Sequence, residues 1–405
     1  MVSRKNYIVE RHIHEAIYLI NIKQNYLNDK CCLYEINESL HLQLLDFDKE
    51  KRTKWMKERK PFSVLFEATP RCNMNCIHCY LQNNHIADEM QYERIIELID
   101  ILYEKGILFL TFTGGEIFTR KDFMSIYLYA KKKGFLVELF TNGYLISDEI
   151  IEVLKEYPPL LVDISLYGAN EDTYYKITGI KGAFDRVVNN CKKLKDAGIR
   201  VSLKTPVLNE TLGQISEMKD IAAQMDIPFV YTFEICSTID KDDSPKRHQV
   251  RMVDILRHEF ENHFEQVKNG GKNSLDRNDI IQELLNNDYV YRCNVALNSF
   301  IIDYNGNMCP CMKLRHKGER LTKENYDEIW ERFGLYSKII ATEKYACKTC
   351  DTAYYCDICP AEMDYLYNDM EYRDKKMCRI ALIRRDFYEK RITFEEALDR
   401  ASFDE

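Results

Sequence analysis

Apolar and polar positions alternate in a repeated rhythm through the middle of the chain. Runs rich in β-branched and aromatic residues at 63–69, 108–113, 135–141, 161–167, 200–207 and 229–235 read as strands. The stretches between them keep helical spacing. Near 91–105 it is carried by Ile95, Ile96, Ile99 and Leu102, and further helices are expected at 121–133, 147–156, near 184–196 and near 212–225. Strand and helix in strict alternation imply an α/β fold with a parallel sheet and right-handed crossovers. Six such units are too few to close an eight-fold barrel, so a partial TIM-like (β/α)6 barrel, open on one side, fits residues 61–236.

The flanks follow other patterns. Residues 1–60 read as a small α+β unit, with strands at 7–9, 16–20 and 33–36. The cap-like Asn37-Glu38-Ser39 precedes a short helix whose apolar face is Leu40, Leu42, Leu44 and Leu45, and a charged linker runs from Lys49 to Lys60. Residues 237–292 read as a connector with one helix at 249–266. Residues 293–380 are Cys-rich, and Asn305-Gly306 signals a tight hairpin turn between Phe300-Ile301-Ile302 and Met308. A charged helical tail occupies 381–405.

Composition narrows the class. The chain has 405 residues and a net charge of −8, which argues against a general nucleic-acid binder. No apolar run reaches membrane-spanning length, and the basic N-terminus lacks a signal-peptide core, so a cytoplasmic location without membrane partners is expected. Fifteen cysteines in such a chain point to metal ligation rather than disulfides. They cluster at 72–79 and again at 293–378. Cys31 and Cys32 are adjacent, share one metal poorly, and read as structural.

Cys72, Cys76 and Cys79 form a C-x3-C-x2-C array just after the strand 63–69, with Pro70 breaking the strand. Ligand sites of α/β folds collect at the carboxyl ends of strands. Three thiols suit a soft metal, iron–sulfur or zinc, and leave one position for something else. Gly114-Gly115-Glu116 ends the next strand and offers close backbone approach followed by a carboxylate. Asn142, Ser165 and Lys204 end later strands. Each alone is an ordinary turn or surface residue. Together they suit a zwitterionic, ribose-bearing ligand, with a carboxylate on Lys204 and ribose hydroxyls on Ser165 or Asn142. His78 reads as a loop-packing residue. No Asp or Glu stands out as a general base, so the catalytic residues stay unassigned.

These motifs resemble those of radical S-adenosylmethionine (SAM) enzymes. The resemblance rests on Cys72-x3-Cys76-x2-Cys79, Thr113-Gly114-Gly115-Glu116, Ile164-Ser165-Leu166-Tyr167-Gly168, Tyr174 to Gly179 and Gly182 to Val187, in order over 61–236. It implies a [4Fe–4S] cluster on the three cysteines with SAM chelating the open iron. Reductive cleavage would give a 5′-deoxyadenosyl radical that abstracts a substrate hydrogen. Glu116 and its glycines would contact the SAM amino group, and a flavodoxin- or ferredoxin-like protein would donate electrons.

The C-terminal cysteines resemble a SPASM module, which carries up to two auxiliary [4Fe–4S] clusters on peptide and protein modifiers. The resemblance implies Cys347, Cys350, Cys356 and Cys378 for an outer cluster, and Cys293, Cys311 and Cys359 for an inner one. The fourth inner ligand is open between Cys309 and none. A pair of zinc sites is the competing reading of two C-x2-C pairs. Residues 1–60 faintly resemble the peptide-recognition domain of ribosomal-peptide maturases, which would add a leader peptide as a strand. The expected function is therefore maturation of a ribosomally made precursor peptide by a thioether or carbon–carbon cross-link. A formylglycine-forming sulfatase maturase, an enzyme acting on a small cofactor precursor such as a haem precursor, and a non-enzymatic zinc scaffold are the alternatives.

Overall fold

The computed structural model describes residues 8–13, 16–21, 23, 26–29, 32–34, 54–82, 88–268 and 288–402. They fall into two compact units, Met1–His248 with Ala296–Trp330, and Gln249–Val295 with Glu331–Glu405.

The first unit is built on a nine-stranded sheet. Its parallel strands are β5 (Ser63–Thr69), β6 (Phe109–Gly114), β7 (Leu136–Thr141), β8 (Leu161–Ser165), β9 (Val201–Pro206) and β10 (Phe229–Thr232). Each pairs with its sequence neighbour, so the strands lie side by side in chain order. Helices α1 (Tyr92–Glu104), α2 (Phe123–Lys132), α3 (Asp148–Glu156), α5 (Ala183–Asp196) and α6 (Ile215–Gln224) fill the crossovers. This is the expected partial barrel. The crossover after β8 also holds α4 (Glu171–Thr178), a short helix the periodicity did not reveal.

Alternation within the strands explains the layering. Val64, Phe66, Leu110, Phe112, Leu139, Val162, Ile164 and Leu203 are completely buried, and so are Ile95, Leu98, Ile99 and Leu102 of α1. Each such side chain contributes roughly 1.5–3 kcal/mol of burial. The alternate positions carry Glu67, Thr111, Glu138, Asp163 and Lys204. Successive strand residues face opposite sides, so these polar groups share the inner face of the barrel.

The sheet continues past β5 with β11 (Ser299–Ile302), β12 (Asn307–Cys309) and β13 (Glu319–Arg320). The expected hairpin is present, with Ile301 opposite Cys309 and Gly306 at φ +81° in its turn. Asp303 fixes the turn by accepting the Asn305 and Asn307 N–H groups, both at 2.9 Å. β11 also pairs in parallel with β5. Residues 296–330 therefore pack as part of the barrel unit.

The N-terminal segment forms an antiparallel sheet in the order β1 (Ile8–Ile13), β2 (Ala16–Asn21), β3 (Tyr26–Asp29), β4 (Cys32–Tyr34). β3 was not expected. The anticipated helix at Leu40–Leu45, the start of the linker and Cys31 lie outside the described residues. Arg11 of β1 is buried and donates to the Ile107 carbonyl at 2.7 Å. Its guanidinium lies between the rings of Tyr103 and Phe135, 4.4 and 4.7 Å from their centroids. Burial lowers its pKa to about 10, so it stays charged at neutral pH. Lys23 pairs with Glu156 at 2.9 Å. Ile107 lies two residues before β6 and Phe135 directly before β7, so this sheet docks at the amino ends of the barrel strands.

In the second unit, α7 (Met252–Lys268) packs with α8 (Lys375–Tyr388) and α9 (Phe394–Ser402) through Leu256, Phe260, Ile383, Phe387 and Ala397. The tail expected as one helix is thus two, broken by a turn after Tyr388. Among the described residues, no helix is long and apolar enough to cross a membrane. Replacing Arg11 with Ala removes a charged hydrogen bond and two ring contacts. The expected loss is about 2–4 kcal/mol of stability, seen as a lower urea midpoint, and an unchanged midpoint counts against the pinning role.

Candidate active site

The Cys loop, residues 70–81, is gripped from both sides. On one side the end of β6 runs against its stem. Gly115 N–H donates to the Thr69 carbonyl at 2.8 Å, and Glu116 N–H donates to the Arg71 carbonyl at 2.7 Å. A Cβ on Gly114 (φ +135°) would lie 2.1 Å from the Thr69 oxygen, and one on Gly115 would lie 2.2 Å from the Arg71 oxygen. Both glycines are therefore required by contact with the loop stem itself. On the other side, Asn75 and Ile77 N–H groups donate to the Thr178 and Ile177 carbonyls, each at 3.1 Å. Those carbonyls end α4, whose C-cap is Gly179 in the left-handed region. Asn170 caps the other end through the Thr173 N–H at 3.0 Å. Ile77 and Tyr167 pack against the cluster of Ile177, Leu208 and Ile235.

The three thiols sense one another. Burial pushes Cys72 up to about 12, with Glu116 and Cys79 adding to the rise. It also pushes Cys76 well up, with Cys79 and Cys72 as the next contributors, and Cys79 up to about 11. As free thiols they keep their protons at neutral pH, so a metal must displace protons to bind. Met74 N–H and Asn142 Nδ2 approach Cys72 Sγ at 3.4 and 3.8 Å. Tyr167 hydrogen-bonds Cys76. Among the described residues, no three His, Cys, Asp or Glu side chains converge on one ion-sized point. Thiolates that each bind a different iron of a cluster need not converge in that way. His78 packs its ring 5.2 Å from Tyr167, in keeping with a packing role.

The strand-end residues fall into two groups. Glu116 is fully buried and accepts from Thr141 Oγ1 at 2.8 and 2.9 Å, Asn142 N–H at 2.7 Å and Phe118 N–H at 3.1 Å. Burial raises its pKa to about 6 against the pull of these donors. Its carboxylate ties the end of β6 to the end of β7. Asn142 continues the chain of contacts, donating from Nδ2 to Asn73 Oδ1 at 2.8 Å. Ser165 and Lys204 form the second group, opposite each other on β8 and β9. Lys204 pairs with Asp163 at 2.8 Å and lies 3.0 Å from the centroid of the Phe140 ring. Burial lowers its pKa, and Asp163 opposes that shift.

Other polar residues belong to this region without a motif to announce them. Glu67, fully buried on β5, accepts from Tyr80 OH at 2.7 Å and pairs with Arg315. The Tyr304 N–H reaches its other oxygen at 3.3 Å. Burial works against the Arg315 charge, but Glu67 holds its pKa above the usual value. Glu138 accepts from Thr111 at 3.1 Å on the same inner face. The signal was present in the sequence, as single charged residues inside otherwise apolar strands.

The later cysteines divide between the units. In the barrel unit Cys309 is completely buried, and a Cβ on Gly318 would lie 2.6 Å from its sulfur. Cys311, two residues on, is partly exposed. In the second unit Cys293, Cys347, Cys350, Cys356, Cys359 and Cys378 line one cavity of about 200 Å³. Burial raises the Cys347 thiol and pushes Cys356 up to about 11, while Cys293 is exposed.

Substituting Ala for Gly115 places a methyl group on the Arg71 carbonyl and forces the loop stem off the barrel. The expected outcome is a folded protein that binds markedly less iron per chain. Wild-type iron content in the variant would contradict the role of this contact.

Comparison with known proteins agrees with this geometry. Residues 66–222 match the radical SAM superfamily, and residues 293–351 match SPASM, an iron–sulfur cluster-binding domain. Fe-coproporphyrin III synthase of Methanosarcina barkeri is 34% identical over 201 residues, 49% of this chain and 48% of that protein. The antilisterial bacteriocin subtilosin biosynthesis protein AlbA of Bacillus subtilis is 35% identical over 160 residues, 39% of this chain and 36% of that protein. The chain thus spans about half or less of these relatives. Streptococcus suis SuiB bound to its precursor peptide SuiA shares the fold, with a TM-score of 0.61 and 16% identity over 93% of this chain and 99% of that one. The matched domains imply a [4Fe–4S] cluster with SAM at the first and auxiliary iron–sulfur clusters at the second, and the grouped thiols fit that donor chemistry. The chain thus carries a radical SAM domain followed by a SPASM domain.

Proposed function

We propose that this chain is a radical SAM/SPASM enzyme that modifies a ribosomally made precursor peptide, installing a thioether or carbon–carbon cross-link. The observation that carries this reading is that one chain holds both a three-thiol loop at the barrel's strand ends and a six-thiol cavity in its second unit. SAM cleavage alone needs only the first.

Cys72, Cys76 and Cys79 would hold the SAM-binding cluster. Bound there, the cluster would supply the one-electron reduction of SAM on which radical chemistry rests. The chain's own groups hold and orient. Gly114 and Gly115 keep the loop stem against β6, and Glu116 fixes Asn142 beside Cys72. Lys204 spends one of its three donors on Asp163 and keeps two for a ligand carboxylate, while Ser165 stands beside it for a hydroxyl. Cys347, Cys350, Cys356 and Cys378 would hold an outer auxiliary cluster, and Cys293 and Cys359, in the same cavity, would contribute to an inner one. Cys309, buried behind Gly318, is better suited to packing than to an inner-cluster role.

The peptide substrate is supported by the relationship to AlbA, a bacteriocin biosynthesis protein. The N-terminal sheet is compatible with it, because β1 and β4 are its outer strands among the described residues and an extended leader could pair along one. A flavodoxin- or ferredoxin-like donor would supply electrons. A second reading, chemistry on a tetrapyrrole precursor, draws on the longer alignment with Fe-coproporphyrin III synthase.

Anaerobic incubation with dithionite and SAM separates these readings. The reconstituted enzyme is expected to release 5′-deoxyadenosine, and replacing Cys72, Cys76 and Cys79 together with Ala to abolish it. Undiminished release by the triple variant would refute the site. A precursor peptide recovered with two hydrogens fewer per link supports the peptide reading. Turnover of an iron coproporphyrin precursor without peptide modification supports the second.

A further inference from the structure

The six thiols of the second unit's cavity differ in their neighbours. Arg373 Nε donates to Cys378 Sγ at 3.3 Å. Thr352 Oγ1 lies 3.1 Å from Cys350 Sγ. The Tyr345 side chain hydrogen-bonds Cys347, and the Ile358 N–H bonds Cys356. Among the described residues, no side-chain hydrogen bond reaches Cys293, Cys356 or Cys359; Cys293 takes only the Val295 N–H and Cys356 only the Ile358 N–H. An iron-bound thiolate carries no proton, so Thr352 and Tyr345 can only donate to it, as the Arg373 guanidinium always does.

We propose that Arg373, Thr352 and Tyr345 form a donor shell around Cys378, Cys350 and Cys347 that raises the reduction potential of the iron–sulfur cluster these thiols hold. The inference rests on the reading that these cysteines hold a cluster. Reduction adds negative charge to the cluster and its sulfurs. N–H and O–H groups aimed at those sulfurs favour the reduced form and shift the potential upward. Thr352 and Tyr345 are buried, 3% and 4% exposed, so water screens them little. Arg373 is exposed, and its contribution is weakened by solvent and salt. The three are positioning residues. They touch the ligand sulfurs and have no part in SAM cleavage.

The test is an EPR-monitored redox titration of the anaerobically reconstituted enzyme and of its R373Q, T352V and Y345F variants, with iron and sulfide measured alongside. Each variant is expected to keep wild-type iron and to show one auxiliary signal titrating at lower potential. The signal that responds to SAM should stay where it is. The buried T352V and Y345F changes should shift the signal more than R373Q does at high salt. Unmoved potentials with full iron content would overturn the proposal, as would a shift confined to the SAM-responsive signal. If R373Q loses iron, the near-isosteric T352V decides the same question. A wild-type enzyme showing only the SAM-responsive cluster would instead sink the auxiliary-cluster reading beneath it.

Discussion

The backbone approach of Thr69–Arg71 to Gly114–Glu116 is the constraint on which the site depends. Parallel pairing normally ends with the strand. Here it is carried two residues further, because the absence of side chains at Gly114 and Gly115 lets two carbonyl oxygens sit where a Cβ would be. The thiols of the loop follow from that stem. Glu116 then transmits the fixed position to β7, and Asn142 returns it to Asn73 and Cys72. The closing contact comes from α4, whose last carbonyls need partners and find them in the loop's N–H groups. A loop held at both ends loses little freedom when it binds a cluster.

The inner face of the barrel carries charge at a cost that its pairings offset. Glu67 with Arg315, and Asp163 with Lys204, are desolvated pairs. Such pairs add little net stability but penalise any arrangement that separates them. The first therefore fixes the 303–318 segment against β5 beside Tyr80, the residue directly after Cys79. The second fixes the Lys204 ammonium in the register where Ser165 faces it. Specificity of placement, more than stability, is what these charges contribute.

The barrel was legible because its information is local. Each strand and helix from 61 to 236 declares itself by the spacing of its own apolar residues, and the motifs fall at predictable strand ends. What escaped detection depends on distant partners or short segments. The α4 helix has only eight residues, many of them polar, and its main task is to meet the Cys loop. The pairing of β11 with β5 joins residues far apart in sequence, which no local pattern marks. Spacing placed Cys309 among candidate ligands but could not say that its sulfur lies behind Gly318. Glu67 and Arg315 read as ordinary charges until the fold buried them together. Thr352, Tyr345 and Arg373 belong to no motif, since a donor to a sulfur can come from any residue that reaches it.

The account stands on the thiols being iron–sulfur ligands rather than zinc ligands or inert core. Metal and acid-labile sulfide analysis of the anaerobically purified full chain tests this most directly. The account predicts iron and sulfide in equal amounts, roughly a dozen of each per chain for three four-iron clusters. Stoichiometric zinc with no iron or sulfide would contradict it.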